Sequence, residues 1–288
     1  MSHLYIFQAH GRRVALRVDD PALLPLAGRL HSCARVSADS CAPSSAADLV
    51  WESDLEGSLR IGLFGEPWET GLDADSVFLQ SENLLTQIFS ERHADALQLH
   101  AGAVVSPDGS GWLIAGESGS GKTSLTLAMI LEGWRWLSDE LILVERERPG
   151  ELVGVPRNFN IKQPSFGHFP ETRDLPSRFE IPSPKRQCLV RFIDPGELAP
   201  NACAPSANLE AILFPKFTPD LKVPAMITCR GADFSGRLLG AVTRSPSWGI
   251  RWVIDTVEKI PAWEVCYSDP RLAGRFLAAS PGIATHAF

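Results

Sequence analysis

Eight residues, Gly116-Glu-Ser-Gly-Ser-Gly-Lys-Thr123, fit the pattern G-x-x-x-x-G-K-S/T in full. Glycines at these positions let backbone N–H groups turn inward around two phosphates. The lysine then reaches the outer oxygens and the threonine hydroxyl ligates Mg²⁺. A helix starting at the loop adds its positive N-terminal end to the anion site. The cradle read this way comprises Gly116, Glu117, Ser118, Gly119, Ser120, Gly121, Lys122, Thr123 and Ser124. Its context also fits, because the apolar strand "WLIAG" precedes it and the apolar, glycine-terminated helix "SLTLAMILEG" follows. Such a loop implies nucleotide binding and is silent on what is done with the phosphate.

The next acidic pair, Asp139-Glu140 in "WLSDE", bears on that question. From Thr123 to Gly133 a helix descends about 16 Å at ~1.5 Å per residue. A strand over Trp134–Ser138 climbs back about 16 Å at ~3.3 Å per residue. If that strand runs beside the loop strand, Asp139 arrives level with the phosphates, where phosphoryl transfer needs a carboxylate for Mg²⁺ or for the attacking oxygen. Neighbouring strand residues face opposite ways, so Asp139 and Glu140 are not expected to point at one atom. Asp139 shares its face with Leu137, Leu141 and Leu143. His100, in the strand "ALQLHAGAVV" just upstream, is a further candidate to approach the phosphates. Downstream, "PRNFNIK" supplies Arg157 and Lys162, which suit a phosphoryl group or an acidic acceptor.

The elements that must position these residues form an α/β pattern. Residues 1–95 alternate short apolar runs with turn signals and read as a β-rich accessory region. "LYIFQAHGRRVALRV" is two strands around a His-Gly turn, and "SLRIGLFG" is another strand. The Ser-, Ala- and Asp-rich stretch 37–48 reads as a linker. A helix is expected over 81–94 with Ser81 as its N-cap. Residues 96–288 form the catalytic domain. Beyond Pro149 frequent prolines predict strands and irregular connections rather than long helices, with 175–184 a mobile loop.

Composition narrows the function. The 288 residues carry a net charge of −7 and no lysine- or arginine-rich run, which argues against nucleic acid and anionic membranes as partners. No apolar run approaches the ~20 residues of a membrane span, and the polar N-terminus lacks a signal-peptide core. Six scattered cysteines without a C-x-x-C pair read as reduced thiols. A cytoplasmic protein is expected.

"LHAGAVV" followed by "GWLIAGESGSGKTSLTLAMILEGWRWLSDE" resembles the HPr kinase/phosphorylase family and its relatives, among them kinases found beside peptide-modification genes such as those for lasso peptides. The resemblance is specific over 97–144 and weaker to about residue 218 through "VPRNFNIK" and "LFPKFTPD". It implies an α/β P-loop kinase core of the HPr kinase/PEP carboxykinase type, a mixed sheet with flanking helices. It also implies ATP and Mg²⁺ as cofactors and serine phosphorylation of a peptide or small protein. By position Asp139 is the implied base, Glu140 and His100 assist around phosphate and metal, and Thr123 and Asp139 are the metal-facing residues. Homo-oligomerisation is a family property with no interface legible here. The stretch "GVPRNFNIKQPS" departs from the family's second signature by lacking a carboxylate, which points away from HPr as acceptor and from a reverse phosphorylase reaction. Two alternatives stay open: a kinase of a free small molecule, and a non-catalytic ATP-binding regulator. Adenine rests on the resemblance, because no base-selective motif is present.

Overall fold

The computed structural model describes residues 2–30, 34–36, 47–53, 58–63, 69–155, 157–183, 187–199 and 201–279. Most of the expected linker, 37–46, lies outside them, as do residues 184–186. The chain forms two compact units, Met1–His93 with Pro156–Asn158, and Ala94–Val155 with Phe159–Phe288.

In the first unit β1 (His3–Ala9) and β2 (Arg12–Val18) pair as a hairpin. Its two turn residues, His10 and Gly11, both take positive φ (43° and 76°), the twist that lets a two-residue loop join right-twisted strands. After α1 (Leu24–Ala27), the strands β3 (Arg35–Val36), β4 (Leu49–Ser53), β5 (Leu59–Leu63) and β6 (Glu69–Leu72) complete a sheet in the order β3-β1-β2-β4-β5-β6. Helix α2 (Ala74–Arg92) begins seven residues before the expected start. Asp73 is its cap, accepting from the Ser76 N–H at 2.7 Å. Ser81 instead lies buried mid-helix, donating to the Val77 carbonyl and accepting from the Trp51 indole. Val77, Phe78, Leu85 and Phe89 form the buried stripe of the helix.

The second unit opens with β7 (Leu97–Leu99), β8 (Gly102–Val105), β9 (Gly111–Ile114), α3 (Lys122–Leu131), β10 (Arg135–Ser138), β11 (Ile142–Glu145) and β12 (Arg148–Gly154). Next come β13 (Phe159–Lys162), β14 (Phe179–Ser183), β15 (Cys188–Ile193), β16 (Ser206–Phe217) and β17 (Ala225–Cys229). The described chain ends with α4 (Gly231–Ala241), β18 (Val242–Arg244), α5 (Gly249–Lys259), β19 (Ala262–Tyr267) and α6 (Pro270–Ala278). Ten strands make one mixed sheet, ordered β10-β8-β9-β16-β12-β11-β7-β18, with β19 on β16 and β17 on β19. The pairs β9–β16 and β16–β19 are parallel. A separate three-stranded sheet has the order β13-β15-β14.

Three expectations are corrected here. "ALQLHAGAVV" is two strands, because the chain breaks at His100–Ala101 and crosses from the β11 neighbourhood to β9. The last third holds three helices, α4 to α6, whose apolar residues Phe234, Leu238, Trp252, Val253, Ala273 and Leu277 are buried. Part of the expected mobile loop is the strand β14, where Pro182 is tolerated because β14 is an edge strand. Cysteine chemistry also differs from expectation. Cys188, Cys229 and Cys266 are free, but Cys203 is disulfide-bonded, a pairing that depends on proximity in space rather than on sequence spacing.

Candidate active site

Strand register fixes where the key carboxylate sits. Within the sheet Ile114, at the end of β9, pairs with Gly102, and Ser138, at the end of β10, pairs with Ala103. Both strands are antiparallel to β8, so they run the same way and end at the same level. The loop after β9 is the glycine loop and the residue after β10 is Asp139. The expected side-by-side placement is refined in one respect: β8 lies between them. Gly102 keeps this layer close, because a β-carbon there would meet the Thr126 hydroxyl of α3 at 2.6 Å.

The result is a contact the spacing argument anticipated. Thr123 Oγ1 donates to Asp139 Oδ2 at 3.3 Å. Asp139 is nearly inaccessible at 4%. A cavity of about 150 Å³ opens beside this pair. From the loop, Ser118, Gly119, Gly121, Lys122 and Ser124 also line it. His100, Glu140 and Lys162 line it as well. Asp139 and Glu140 reach one cavity because the chain bends at both residues instead of continuing as a strand. Glu140 Oε1 lies 3.3 Å from His100 Nδ1, so these two polar groups are held together at its edge.

Lys122 is buried to 7% exposure and donates to the carbonyls of Gly116 (2.7 Å) and Glu117 (3.0 Å). Burial holds its ammonium below the ordinary lysine value. Glu140 opposes that shift, Lys162 adds to it and Asp139 opposes it.

Other contributors carry no local sequence signal. Tyr267, at the end of β19, donates to the Gly121 carbonyl at 3.2 Å, and burial raises its phenol pKa so that it stays a donor. Gly121 sits at φ 104°, and a β-carbon there would collide with the Tyr267 hydroxyl. Asn160, Ile161 and Ser165 form the facing wall, and Ser165 Oγ lies 3.2 Å from Ser124 Oγ. Arg191 steadies that wall. It donates to Glu180 (2.8 Å) and Thr172 (2.7 Å), and its guanidinium lies 4.0 Å over the Phe166 ring.

Arg157 does not join this group. It belongs to the first unit, where it is 5% exposed and paired with the fully buried Glu82 at 3.5 Å. Of the two cations of that basic segment, Lys162 lines the cavity and Arg157 belongs to the first unit. Gly116, Glu117 and Ser120 turn to the opposite flank of the loop and line a second, larger cavity.

The donor chemistry fits the groups expected from sequence. A hydroxyl and a carboxylate oxygen in contact are hard donors of the kind Mg²⁺ takes, alongside phosphate oxygens and water. Among the described residues no cluster of three or more His, Cys, Asp or Glu side chains that could hold a metal forms.

The HPr kinase/phosphorylase of Geobacter sulfurreducens is 35% identical to the chain over 72 residues, 25% of this chain and 22% of that protein. Over part of its length the chain is a distant homologue of HPr kinase/phosphorylase. The HPr kinase/phosphorylase of Clostridium perfringens is likewise 35% identical, over 83 residues, 29% of this chain and 26% of its own length. The chain thus matches about a quarter of the length of these HPr kinase/phosphorylases. The solved Hpr(Ser) kinase/phosphatase from Coxiella burnetii aligns over 63% of this chain and 86% of that one, at 17% identity and a TM-score of 0.32. No family model matches the chain.

Proposed function

We propose that the protein is an ATP- and Mg²⁺-dependent kinase that phosphorylates a hydroxyl, serine by the family relationship, on a peptide or small protein. The observation that carries this reading is the Thr123–Asp139 contact at the mouth of the Lys122 cradle. It puts a hydroxyl, a carboxylate and a lysine on one cavity, the groups a metal and a phosphate would need. The mixed sheet with its P-loop strand supports an HPr-kinase-type core for Ala94–Val155 and Phe159–Phe288.

Thr123 and Asp139 would hold Mg²⁺, whose charge neutralises the phosphate oxygens when bound. Asp139 also takes the proton from the acceptor hydroxyl as that oxygen attacks. Lys122 releases its loop carbonyls to balance charge on the outer phosphates. Glu140 orients His100 at the cavity edge, and Lys162 faces the transferring group or an acidic acceptor. Because the corresponding stretch has Lys162 and no carboxylate, we infer an acceptor other than HPr.

Use of ATP as donor supports a cytoplasmic setting for the proposed reaction. Among the described residues no helix is long and apolar enough to cross a membrane. Cys203 pulls the other way, since disulfides are uncommon in that compartment.

The test is phosphoproteomics of host lysate treated with protein and Mg-ATP. New phosphoserine with the wild type, and none with Lys122→Ala or Asp139→Asn, is the expected result. Undiminished phosphorylation by both variants would refute the assignment. Tight ATP binding with no transfer to any acceptor would turn the reading to a regulatory ATP-binding module.

A further inference from the structure

The wall that faces the glycine loop is a strand paired on one side. β13 pairs with β15, and among the described residues no strand pairs with its other edge. Asn160, Ile161 and Lys162, three consecutive residues of β13, all line the catalytic cavity. Neighbouring strand residues face opposite ways. Phe159 and Ile161 are buried and turn inward, while Asn160 and Lys162 are half-buried and turn outward. A cavity lined by all three therefore meets the main-chain edge of β13 as well as one of its faces. We propose that the acceptor is held as an extended peptide segment that adds to this edge as a further strand, with its hydroxyl side chain in the catalytic cavity. The inference rests on the kinase reading above and adds the form in which the acceptor is bound.

Backbone chemistry gives the first argument. A strand edge presents a row of N–H and C=O groups that another chain can pair with. Peptides recognised this way gain affinity from main-chain hydrogen bonds and specificity from alternate side chains. The four residues of β13 span about 13 Å at ~3.3 Å per residue. That length suits a short stretch of acceptor centred on its hydroxyl residue.

The sheet's two edges differ. β14, at the opposite edge, carries Pro182, which has no N–H to offer, and none of its residues lines the cavity.

Support for the edge gives the second argument. Ile161 is level with Arg191, whose guanidinium is fixed by Glu180, Thr172 and the Phe166 ring. On the inward side the Phe159 ring packs 5.4 Å from the ring of Trp136. Trp136 belongs to β10, the strand that ends just before Asp139. The edge and the carboxylate thus share one packed support. A template ordered in advance lowers the cost of holding a flexible peptide.

Size and polarity give the third. The catalytic cavity, about 150 Å³, lies below the roughly 300–1,000 Å³ of small-molecule sites. It suits phosphate and one hydroxyl side chain, so the rest of an acceptor lies outside it, where the β13 edge adjoins. Asn160 Oδ1 is buried and has no hydrogen-bond partner among the described residues. An amide oxygen so placed needs an N–H, which a peptide backbone supplies. Lys162 shares the face of Asn160 and suits a carboxylate side chain of the same peptide.

The experiment gives the full chain Mg-ATP and an oriented library of serine peptides of about ten residues, each flanking position varied in turn. The best substrate is then remade with single N-methyl groups along its backbone, and as a helix stapled by an i, i+4 lactam bridge. Phosphorylation should fall at least tenfold when alternate residues are N-methylated and stay within about twofold for those between, because one strand edge uses every second residue. The stapled peptide should be inert. An acidic residue should be preferred at one flanking position, and Lys162→Glu should turn that preference to a basic one. Asn160→Ala should raise peptide KM at least fivefold while ATP affinity stays within about twofold of wild type. No alternation, a stapled peptide phosphorylated as well as the linear one, or an unchanged peptide KM in Asn160→Ala would overturn the proposal. So would phosphorylation confined to free small molecules or to folded proteins, with no library peptide accepted. Wild type that binds no ATP, or undiminished transfer by Lys122→Ala and Asp139→Asn, would instead remove the kinase reading on which the inference stands.

Discussion

Lys122 sits in a place that disfavours its charge, and on the proposed reading binding of a polyphosphate would offset that penalty. Because burial lowers its pKa from the ordinary 10.5, the protonated form that an anion needs is lost earlier in an alkaline titration than for an exposed lysine. ATP affinity should therefore fall with rising pH before 10.5 is reached. In Lys162→Gln, which removes the like charge, the fall should move to higher pH, a shift that titrations across an alkaline series would read. Arg157 makes a different prediction. It is the guanidinium partner of a fully buried carboxylate, so Arg157→Ala should lower unfolding stability by about 3 kcal/mol in a urea melt. A variant of normal stability with a raised acceptor KM would support a clamp role instead.

At the scale of elements, close backbone approach sets the alignment. Gly154 of β12 faces the Leu137 carbonyl of β10, and a β-carbon there would overlap it. Gly154→Ala should cost about 2 kcal/mol, and it should slow phosphoryl transfer more than it weakens ATP binding, because Leu137 is two residues from Asp139. Steady-state kinetics beside a thermal melt would separate the two effects. The loop, its helix and the height of Asp139 were legible because they depend on rise per residue over a short span. The break at His100–Ala101 was not, since both halves are apolar and only their partners, β11 on one side and β9 on the other, distinguish them. Tyr267 was invisible for the same reason in stronger form: it meets Gly121 across 146 residues. Helix α2 was misplaced because Ser81 looked like a cap, while Asp73 makes the capping bond.

Across the whole molecule, acid sensitivity follows from carboxylates held below their ordinary values. Asp20 is lowered by the Ser53 hydroxyl and the Ala22 N–H, and Asp108 by the Ser106 hydroxyl and the Ser110 N–H. At Glu264 burial works upward, but hydrogen bonds from Lys216 and Arg237 outweigh it. Lowered carboxylate values mean stability that is complete above the unfolded values, 3.8 for Asp and 4.5 for Glu, and is lost as pH falls through the folded ones. Thermal midpoints should hold between pH 7 and about 5 and decline below. Asp20→Asn combined with Glu264→Gln should flatten that decline.

Among the described residues the strands of the three-stranded sheet β13-β15-β14 pair only with one another, while the ten-stranded sheet carries the glycine loop and Asp139. On the proposed reading, donor handling and acceptor choice reside in separately hydrogen-bonded layers that meet across one cavity. Lys162, Asn160 and Ser165 belong to the smaller layer and its following turn. On that reading, changes at Asn160, Lys162 or Ser165 would alter acceptor choice while the register that levels Thr123 with Asp139 stays within the larger sheet.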